Sequence, residues 1–199
     1  MHKPHEKRKQ RTRQAILDAA RQIITEKGPG ELSMRSLAER IDYSPAGLYE
    51  YFDSKEAIIQ EVSQEGHQQL THAIRAVDSD LPPDEYLREI GQAYIRFAVL
   101  NPDYYLLMFT ITPPETLIQG MLKENSSYPI LLQAIQKGLE AGVFKPRAGF
   151  GLQEMAYAAW ALVHGISMLR ITYLRDFPIP FDTADREALS AFGLGLQTK

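Results

Sequence analysis

A short stretch between residues 44 and 58, SPAGLYEYFDSKEAI, concentrates side chains that could bind a partner outside the fold. It contains Tyr49, Tyr51, Phe52 and Lys55. A phenol donates and accepts hydrogen bonds, whereas a lysine ammonium donates them and carries a positive charge. So many such groups in one short helical stretch predict a surface that touches something outside the fold.

The distribution of charge is uneven along the chain. The 199 residues carry a net charge of -3, which argues against a general affinity for polyanions. The first thirteen residues, however, hold six basic side chains and one acidic side chain. This local excess could lie along phosphates, although a solvated, disordered tail explains the same composition.

The residues that could support catalysis or bind a metal are absent or badly spaced. The chain has no cysteine, which excludes disulfides, thiolate zinc sites and cysteine nucleophiles. His67 and His72 are five residues apart, about 140° around a helix, so they cannot share a metal on one helical face. No Gly-x-Ser-x-Gly elbow, phosphate loop or dinucleotide fingerprint occurs. We therefore expect no catalytic residue, no metal site, no cofactor and no enzymatic activity.

The sequence also lacks targeting signals. The N-terminal MHKPHEKRKQRTR has no apolar core, and no run of eighteen apolar residues follows it. Neither a signal peptide nor a membrane span is therefore expected. We expect a soluble cytoplasmic protein that has no contact with a membrane.

Apolar residues recur at helical spacing along almost the whole chain, which predicts an all-α fold. Glycine, proline and serine mark the ends of helices, with Ser33 and Ser44 as N-caps and Pro45 at the first position of the third helix. The predicted helices cover about residues 11–27, 33–41, 45–52, 54–77, 83–100, 113–141 with an interruption, 150–174 and 184–196.

The first three helices form a helix-turn-helix pattern, and their sequence sharpens it. The segment SMRSLAERIDYSPAGLYEYFDSKEAI closely resembles the DNA-binding domain of the TetR family of bacterial transcriptional repressors over about residues 12–60. The turn that usually carries glycine has Asp42 here, and aspartate tolerates a left-handed backbone better than most residues. The family's hallmark positions are matched by Leu48, Tyr49, Tyr51, Phe52, Ser54, Lys55 and Glu56.

This resemblance implies that the third helix enters the major groove of DNA. Its small N-terminal residues could touch thymine methyl groups, while Arg35 and Tyr49 would read bases. Tyr51 and Lys55 would contact phosphates, with Arg40 a weaker candidate, whereas Leu48 and Phe52 are expected in the core. The predicted DNA-binding residues are Arg35, Ser44, Pro45, Ala46, Gly47, Tyr49, Tyr51 and Lys55.

The C-terminal part resembles a subclass of the family named for a Trp-His-Gly pattern, matched here by Trp160, His164 and Gly165. Membership would imply an effector-binding domain that also forms a homodimer. Trp160 and His164 share one helical face, so a buried structural pair is an alternative to a ligand contact. Aromatic and methionine side chains suit a small apolar or amphipathic effector of little charge. The predicted effector-binding residues are Phe97, Tyr104, Met108, Phe109, Met121, Trp160 and His164.

Three regions are predicted: a basic flexible tail over residues 1–11, a DNA-binding domain over 12–60, and an effector-binding and dimerisation domain over 61–199. An apolar stripe on the last helix predicts the dimer interface. The predicted interface residues are Ala188, Leu189, Phe192 and Leu196.

The predicted function is a ligand-responsive repressor that binds a palindromic operator as a homodimer and is released by a small effector. The fourth helix would connect the DNA-binding and effector domains as a lever. Two alternatives are an architectural DNA-binding protein without an effector, and a helical ligand carrier or enzyme that no longer binds DNA. A cavity in residues 83–175 would argue against the first, and retention of DNA would argue against the second.

Overall fold

The structure is a computed structural model that describes residues 4–111 and 126–198, with side chains from residue 6 onward. Most of these residues are helical, and the β-type pairing found among them is an isolated bridge between Arg147 and Phe150. The all-α prediction is confirmed. In chain order the α-helices are α1 (Pro4–Lys27), α2 (Met34–Arg40), α3 (Pro45–Leu48), α4 (Lys55–Arg75), α5 (Pro83–Leu100), α6 (Pro102–Leu106), α7 (Ser127–Glu140), α8 (Leu152–Ile171) and α9 (Asp182–Gln197).

The described residues divide into two compact units. The first contains the residues up to 66 together with 103–111, and the second contains 67–102 and 126–198. The division falls within α4, so this one helix contributes to both units. A second passage of the chain between the units follows α5, at residues 102 and 103.

Serine caps start three of the helices in the first unit. The Ser33 hydroxyl accepts a hydrogen bond from the Ser36 amide at 3.0 Å, and the Ser36 hydroxyl accepts one from the Ser33 amide at 2.9 Å. Ser44 accepts from the Gly47 amide at 3.0 Å, and Ser54 accepts from the Ala57 amide at 3.2 Å. Each cap satisfies an amide that has no partner within its helix. The predicted caps at Ser33 and Ser44 are thus confirmed.

The turn between α2 and α3 contains Asp42, the residue that stands where the family usually has glycine. Asp42 has a φ of +52°, and it is the one non-glycine residue with positive φ in the described ranges. The Tyr43 amide donates to the Ala38 carbonyl across this turn at 2.9 Å. Aspartate therefore supplies the left-handed backbone that the turn requires, as predicted.

Two helices differ from their predicted bounds. Helix α1 starts at Pro4, where the sequence predicted a flexible tail, because the basic and glutamine side chains before residue 11 are good helix formers with no glycine among them. Helix α3 ends at Leu48 instead of residue 52. After it the amides of Tyr49, Glu50 and Tyr51 bond to carbonyls three residues back, at 2.9 to 3.3 Å, which is a tighter turn than an α-helix.

The core of the first unit lies between α1, the short helices and the beginning of α4. Leu48 is fully buried and Phe52 is 4% exposed, which confirms that these two residues are core residues. Leu107, from the π-helical turn Leu107–Ile111 that follows α6, joins this core. The predicted boundary after residue 60 does not include this segment, because contacts between distant parts of a sequence leave no local pattern.

Helix α5 is the centre of the second unit and packs against α7, α8 and α9. Its buried face includes Leu87, Ile90 and Tyr94. Arg170 at the end of α8 forms ion pairs with Asp182 and Asp185 at the start of α9, which hold these two helices together.

Two residues of the predicted dimer interface are corrected by this packing. Leu189 is 6% exposed and Leu196 is 1% exposed within the single chain. The apolar stripe of α9 is covered by α5, because a terminal helix can bury such a stripe against its own domain as well as against a partner.

Candidate DNA-binding surface and effector cavity

The exposed face of α3 presents the residues predicted to meet base pairs. Pro45 and Ala46 are exposed, and the Tyr49 side chain is 54% exposed although it follows the buried Leu48. Arg35 projects from α2 with 85% of its side chain exposed, and its Nε lies 3.0 Å from Glu39. Such an exposed ion pair is weak, so the Arg35 guanidinium can exchange Glu39 for a base or a phosphate.

Tyr43, which the sequence analysis did not select, lies across α3. The Tyr43 and Tyr51 rings meet edge to face with centroids 6.2 Å apart, and their hydroxyls are 3.3 Å apart. This hydrogen bond raises the pKa of Tyr43 and lowers that of Tyr51, as expected if Tyr43 is the donor. A Cβ on Gly47 would lie 2.8 Å from the Tyr43 ring, so glycine is what allows this ring position.

Three polar residues of the predicted site have clear local roles. The Ser44 hydroxyl is occupied as the cap of α3. Lys55 is the first residue of α4, beside the backbone amides of the helix N-terminus, and has no ion pair in the part of the chain that is described. Arg40 is bound to Glu26 at 2.6 Å and joins α2 to α1, and this hydrogen bond lowers the pKa of Glu26. Lys55 is therefore available for a phosphate, whereas Arg40 is engaged within the fold.

The basic N-terminal part of α1 lies beside the same surface. Arg8 is close enough to Tyr43 and Tyr51 to interact electrostatically with both phenols. Arg13, in contrast, is bound to Glu61 and stacks 4.2 Å from the centre of the Phe52 ring. In this N-terminal part of α1, the basic residues that make no ion pair within residues 6–111 and 126–198 are Lys7, Arg8, Lys9 and Arg11.

The residues predicted to bind an effector are divided between the two units. Tyr104, Met108 and Phe109 belong to the first unit, where Met108 is fully buried and its sulfur lies against Gly66. Phe97, Trp160 and His164 belong to the second unit, and Phe97 is 6% exposed. Met121 lies outside the described residues. The segment after α5 belongs to the first unit, which its apolar composition alone could not reveal, and the effector site stays a prediction.

The second unit contains a cavity of about 60 Å³, and Trp160 is one of the residues that line it. On the scale of about 10–15 Å³ for one water, it has room for about four to six waters. Tyr94 and Tyr128 share its wall, and the Tyr128 and Trp160 rings meet edge to face at 6.4 Å. The ring centroids of His164 and Trp160 are 5.9 Å apart, and the His164 Nδ1 is 3.4 Å from the Tyr94 hydroxyl. Burial lowers the pKa of His164, so its ring is neutral near pH 7.

The other end of the cavity is polar. Asp84 and Arg88, one helical turn apart on α5, both line it. Asp84 accepts a long hydrogen bond of 3.4 Å from the Gln197 amide, and the Arg88 Nε lies 3.4 Å from Glu89. Phe192, predicted at the dimer interface, lines this cavity and is partly exposed, so its interface assignment stays a prediction.

Helices α8 and α9 leave an apolar face uncovered. Tyr157, Ala161, Gly165 and Leu169 follow at four-residue intervals on α8, and Tyr157 and Leu169 are 66% and 49% exposed. Leu194 on α9 is 62% exposed. Ala188, which belongs to the predicted interface, is half-buried.

Two further properties of residues 4–111 and 126–198 concern metals and membranes. No group of three or more histidine, cysteine, aspartate or glutamate side chains there is arranged to hold a metal ion. Among the helices of the same residues, none is both long and apolar enough to cross a membrane.

Two known sequence families match this chain. Residues 16–62 match the family described as bacterial regulatory proteins, tetR family, and residues 87–191 match the tetracyclin repressor-like C-terminal domain. The second match has a different description from the Trp-His-Gly subclass, and that finer resemblance stays a prediction.

Individual proteins resemble the chain over shorter ranges. The HTH-type transcriptional regulator YobS of Bacillus subtilis is 28% identical over 94 residues, 47% of this chain and 49% of YobS. The regulator UidR of Escherichia coli is 45% identical over 53 residues, which is 27% of each chain. The chain thus spans about half or less of the length of these curated relatives. The crystal structure of PfmR, a TetR family transcriptional regulator from Thermus thermophilus, matches with a TM-score of 0.67 and 25% identity over 92% of this chain and 99% of PfmR.

Proposed function

The chain belongs to the TetR family of transcriptional regulators, and we propose that it is a ligand-responsive repressor that binds a palindromic operator as a homodimer. Family membership confirms that the protein is a regulator and not an enzyme. Because bacterial DNA lies in the cytoplasm, the proposal also locates the protein there.

The observation that carries the proposal is the uncovered face of α3. Pro45, Ala46 and Tyr49 are exposed on a capped helix whose opposite side, at Leu48, is fully buried. A rigid helix that presents small residues and one phenol can approach base edges and thymine methyls in the major groove. Tyr51, Lys55 and the basic end of α1, whose Arg8 lies near Tyr51, would contact phosphates.

The cavity in the second unit favours the function of a ligand-regulated repressor over that of an architectural DNA-binding protein. An architectural protein needs no internal space, whereas this one keeps an aromatic cavity within its C-terminal helices. Ligand binding there would act on DNA binding only if the ligand has different affinities for two conformations of the protein. The covalent routes for such coupling are α4 and the link from α5 into the first unit. We also keep the Trp-His-Gly subclass as part of this proposal, on the basis of Trp160, His164 and Gly165.

The dimer in this proposal forms through the uncovered face of α8 and α9. Tyr157, Leu169 and Leu194 are exposed apolar side chains there, and the alanines and glycine between them allow two copies to approach closely. Leu189 and Leu196 support this face from inside the subunit, whereas the partly exposed Ala188 and Phe192 remain candidates for contact with the partner.

The proposed base and phosphate contacts can be tested on DNA selected from a random pool. Replacing Lys55 by alanine should weaken selected and unrelated DNA alike and should make the dependence of log affinity on log salt shallower by about one. Replacing Tyr49 by alanine should weaken selected DNA more, by about 1 kcal/mol or more. Both effects are measured by fluorescence anisotropy at several salt concentrations.

Lys137→Ala is the matched control, because this exposed lysine on α7 has no place in the proposed DNA surface. It should leave both kinds of DNA binding unchanged. Equal losses on selected and unrelated DNA for Tyr49→Ala would show that Tyr49 does not read bases. Failure to retain any DNA would contradict the repressor proposal itself.

A further inference from the structure

The α8–α9 loop, residues 172–181, exposes large apolar side chains to solvent. Tyr173 is 88% exposed, and Phe177 and Ile179 are 54% and 51% exposed. Single apolar side chains on a protein surface are ordinary, whereas several of them within one loop form a patch. Such a patch marks a surface that another molecule covers.

The loop is held in place by its own subunit. The Leu174 amide donates a hydrogen bond to the Leu169 carbonyl at 2.9 Å. The Arg170 guanidinium lies 5.3 Å from the centre of the Phe181 ring, and the Phe181 and Phe177 rings are 6.3 Å apart. The apolar side chains are therefore ordered before any partner binds, and covering them costs less conformational entropy.

The loop continues the uncovered face of α8. The row of exposed and small residues that begins at Tyr157 recurs every four residues up to Leu169, and Tyr173 is the next position in the row. Helix α8 ends at Ile171, and the hydrogen bond from Leu174 keeps the start of the loop beside Leu169. A molecule that covers the end of α8 would therefore contact the loop as well.

A stable dimer needs more apolar surface than α8 and α9 expose by themselves. The exposed parts of Tyr157, Leu169 and Leu194 amount to about 300 Å² of apolar side chain. A standard interface buries about 800 Å² on each partner. The exposed side chains of the loop add about 350 Å², which brings the total close to that requirement.

The charges of the loop favour a second copy of the chain over an anionic partner. Its charged residues are Arg175 and Asp176, which are both exposed and form no ion pair within residues 6–111 and 126–198. Because the two charges cancel, the loop has no net attraction for phosphates or anionic lipid headgroups. Two identical loops, in contrast, can approach without net repulsion, as the self-complementary contact of a symmetric dimer requires.

We propose that the α8–α9 loop packs against the second copy of the chain and extends the dimer interface beyond α8 and α9. The inference deepens the proposed function, on whose homodimer it rests, by assigning the loop to the contact between subunits. In a twofold symmetric dimer this contact occurs twice, so the loop of each subunit is covered by the other.

The absence of cysteine from the chain allows the covering of the loop to be measured directly. Ile179→Cys introduces a single thiol, and mass spectrometry follows its reaction with iodoacetamide. This thiol should react at least about 10-fold more slowly in the dimer than in the monomer, because it is reached only when the interface opens. Leu100→Cys is the control, since this position on α5 is 71% exposed and lies outside the proposed interface. Its thiol should react equally fast in dimer and monomer.

Analytical ultracentrifugation identifies the dimer, and dilution or the additional change Leu194→Glu provides the monomer. A fast reaction of the Ile179→Cys thiol in both states would show that the loop stays open in the dimer, which overturns this inference and leaves the homodimer intact. A slow reaction in both states would mean that the loop is covered by its own chain, which overturns it equally. A protein that is monomeric at every concentration would contradict the homodimer and the loop contact together.

A second measurement removes two of the exposed rings. Tyr173→Ser combined with Phe177→Ser should raise the dimer dissociation constant about 10- to 100-fold in sedimentation equilibrium, as expected for the loss of two aromatic anchors. Leu100→Ser, which removes an exposed apolar side chain from α5, should leave the constant unchanged. Thermal unfolding identifies a variant that fails to fold, and the thiol reaction then decides the question. An unchanged dissociation constant in a folded double variant would refute the loop contact.

Discussion

At the scale of single residues, the proposed DNA-binding surface depends on how closely Tyr43 lies over α3. The missing side chain of Gly47 makes room for the Tyr43 ring, which in turn bonds to the Tyr51 hydroxyl. Two phenols are thereby held at the edge of the recognition helix, where Arg8 contributes positive charge. Ordered side chains lose less conformational freedom when they bind phosphates, so this arrangement favours affinity.

Gly47→Ala should weaken the binding of selected DNA without unfolding the protein. The new Cβ would lie 2.8 Å from Tyr43 Cε1, so the ring must move and its contact with Tyr51 is lost. The expected loss is about 1 kcal/mol, or about fivefold in affinity, as for one hydrogen bond. Gly30→Ala is the control, because a Cβ there meets nothing within 4 Å. Anisotropy titrations of the two variants compare them, and equal affinities would mean that the position of Tyr43 is unimportant.

The sequence named candidate residues for this proposed surface, but it could not reveal their interactions. Tyr49 and Lys55 were predicted from residue type and resemblance, and the structure leaves both available. Tyr43 was not selected, although it directly precedes the cap of α3, because its contact depends on how the ring folds back across Gly47. The engagement of Arg40 by Glu26 was equally hidden, since the two residues are fourteen positions apart and lie on different helices.

At the scale of elements, helix α4 carries a partly buried histidine, His67, whose protonation should affect stability. Burial lowers the pKa of His67 to about 4 from an ordinary value of about 6.5. The folded protein therefore favours the neutral ring. The stabilisation that follows is complete above about pH 6.5 and is lost progressively as the pH falls toward 4, where the unfolded chain is protonated but the folded chain is not.

His67→Gln should consequently make the protein less sensitive to acid. Between pH 7.5 and 4.5 the wild type should lose about 2 to 3 kcal/mol more free energy of unfolding than this variant. His72→Gln, at an exposed position of the same helix, should behave like the wild type. Urea unfolding at pH 7.5 and 4.5 measures the free energy of unfolding of the wild type and of the two variants. An equal acid sensitivity in wild type and His67→Gln would contradict the buried, neutral state of His67.

Local signals predicted the elements well where a specific residue ends them. Gly142 was expected to stop a helix, and α7 ends at Glu140 with Gly142 at a φ of +68°. Helix α5 has the predicted bounds, because Pro83 and the Asn101-Pro102 pair limit it on both sides. Helix packing was less predictable, since the apolar stripe of α9 carries no information on whether its partner is α5 or a second subunit.

At the scale of the whole molecule, the proposed dimer requires the uncovered face of α8 and α9. Leu194→Glu introduces a charge on a side chain that is 62% exposed, and it should produce monomers in analytical ultracentrifugation because a charge buried against a second copy would lack a partner. Leu100→Glu, at a position 71% exposed on α5, should leave the dimer intact. A dimeric Leu194→Glu protein would place the interface elsewhere.

Two recognition helices in one dimer should read an inverted repeat whose half-sites are about 34 to 36 Å apart, one turn of DNA. Each half-site alone offers only one set of contacts, so joining two sets in one dimer raises the affinity steeply. Binding by independent single subunits would give no such difference between a full site and a half-site.

The most direct test of the central claim compares a palindrome selected from a random DNA pool with a duplex that contains one half-site, by anisotropy titration at fixed salt. We predict two copies of the protein on each palindrome and an affinity at least about 100-fold higher than for the half-site duplex. A selection that yields no inverted repeat, or equal affinity for the two duplexes, would contradict the account of this protein as a dimeric, operator-binding repressor.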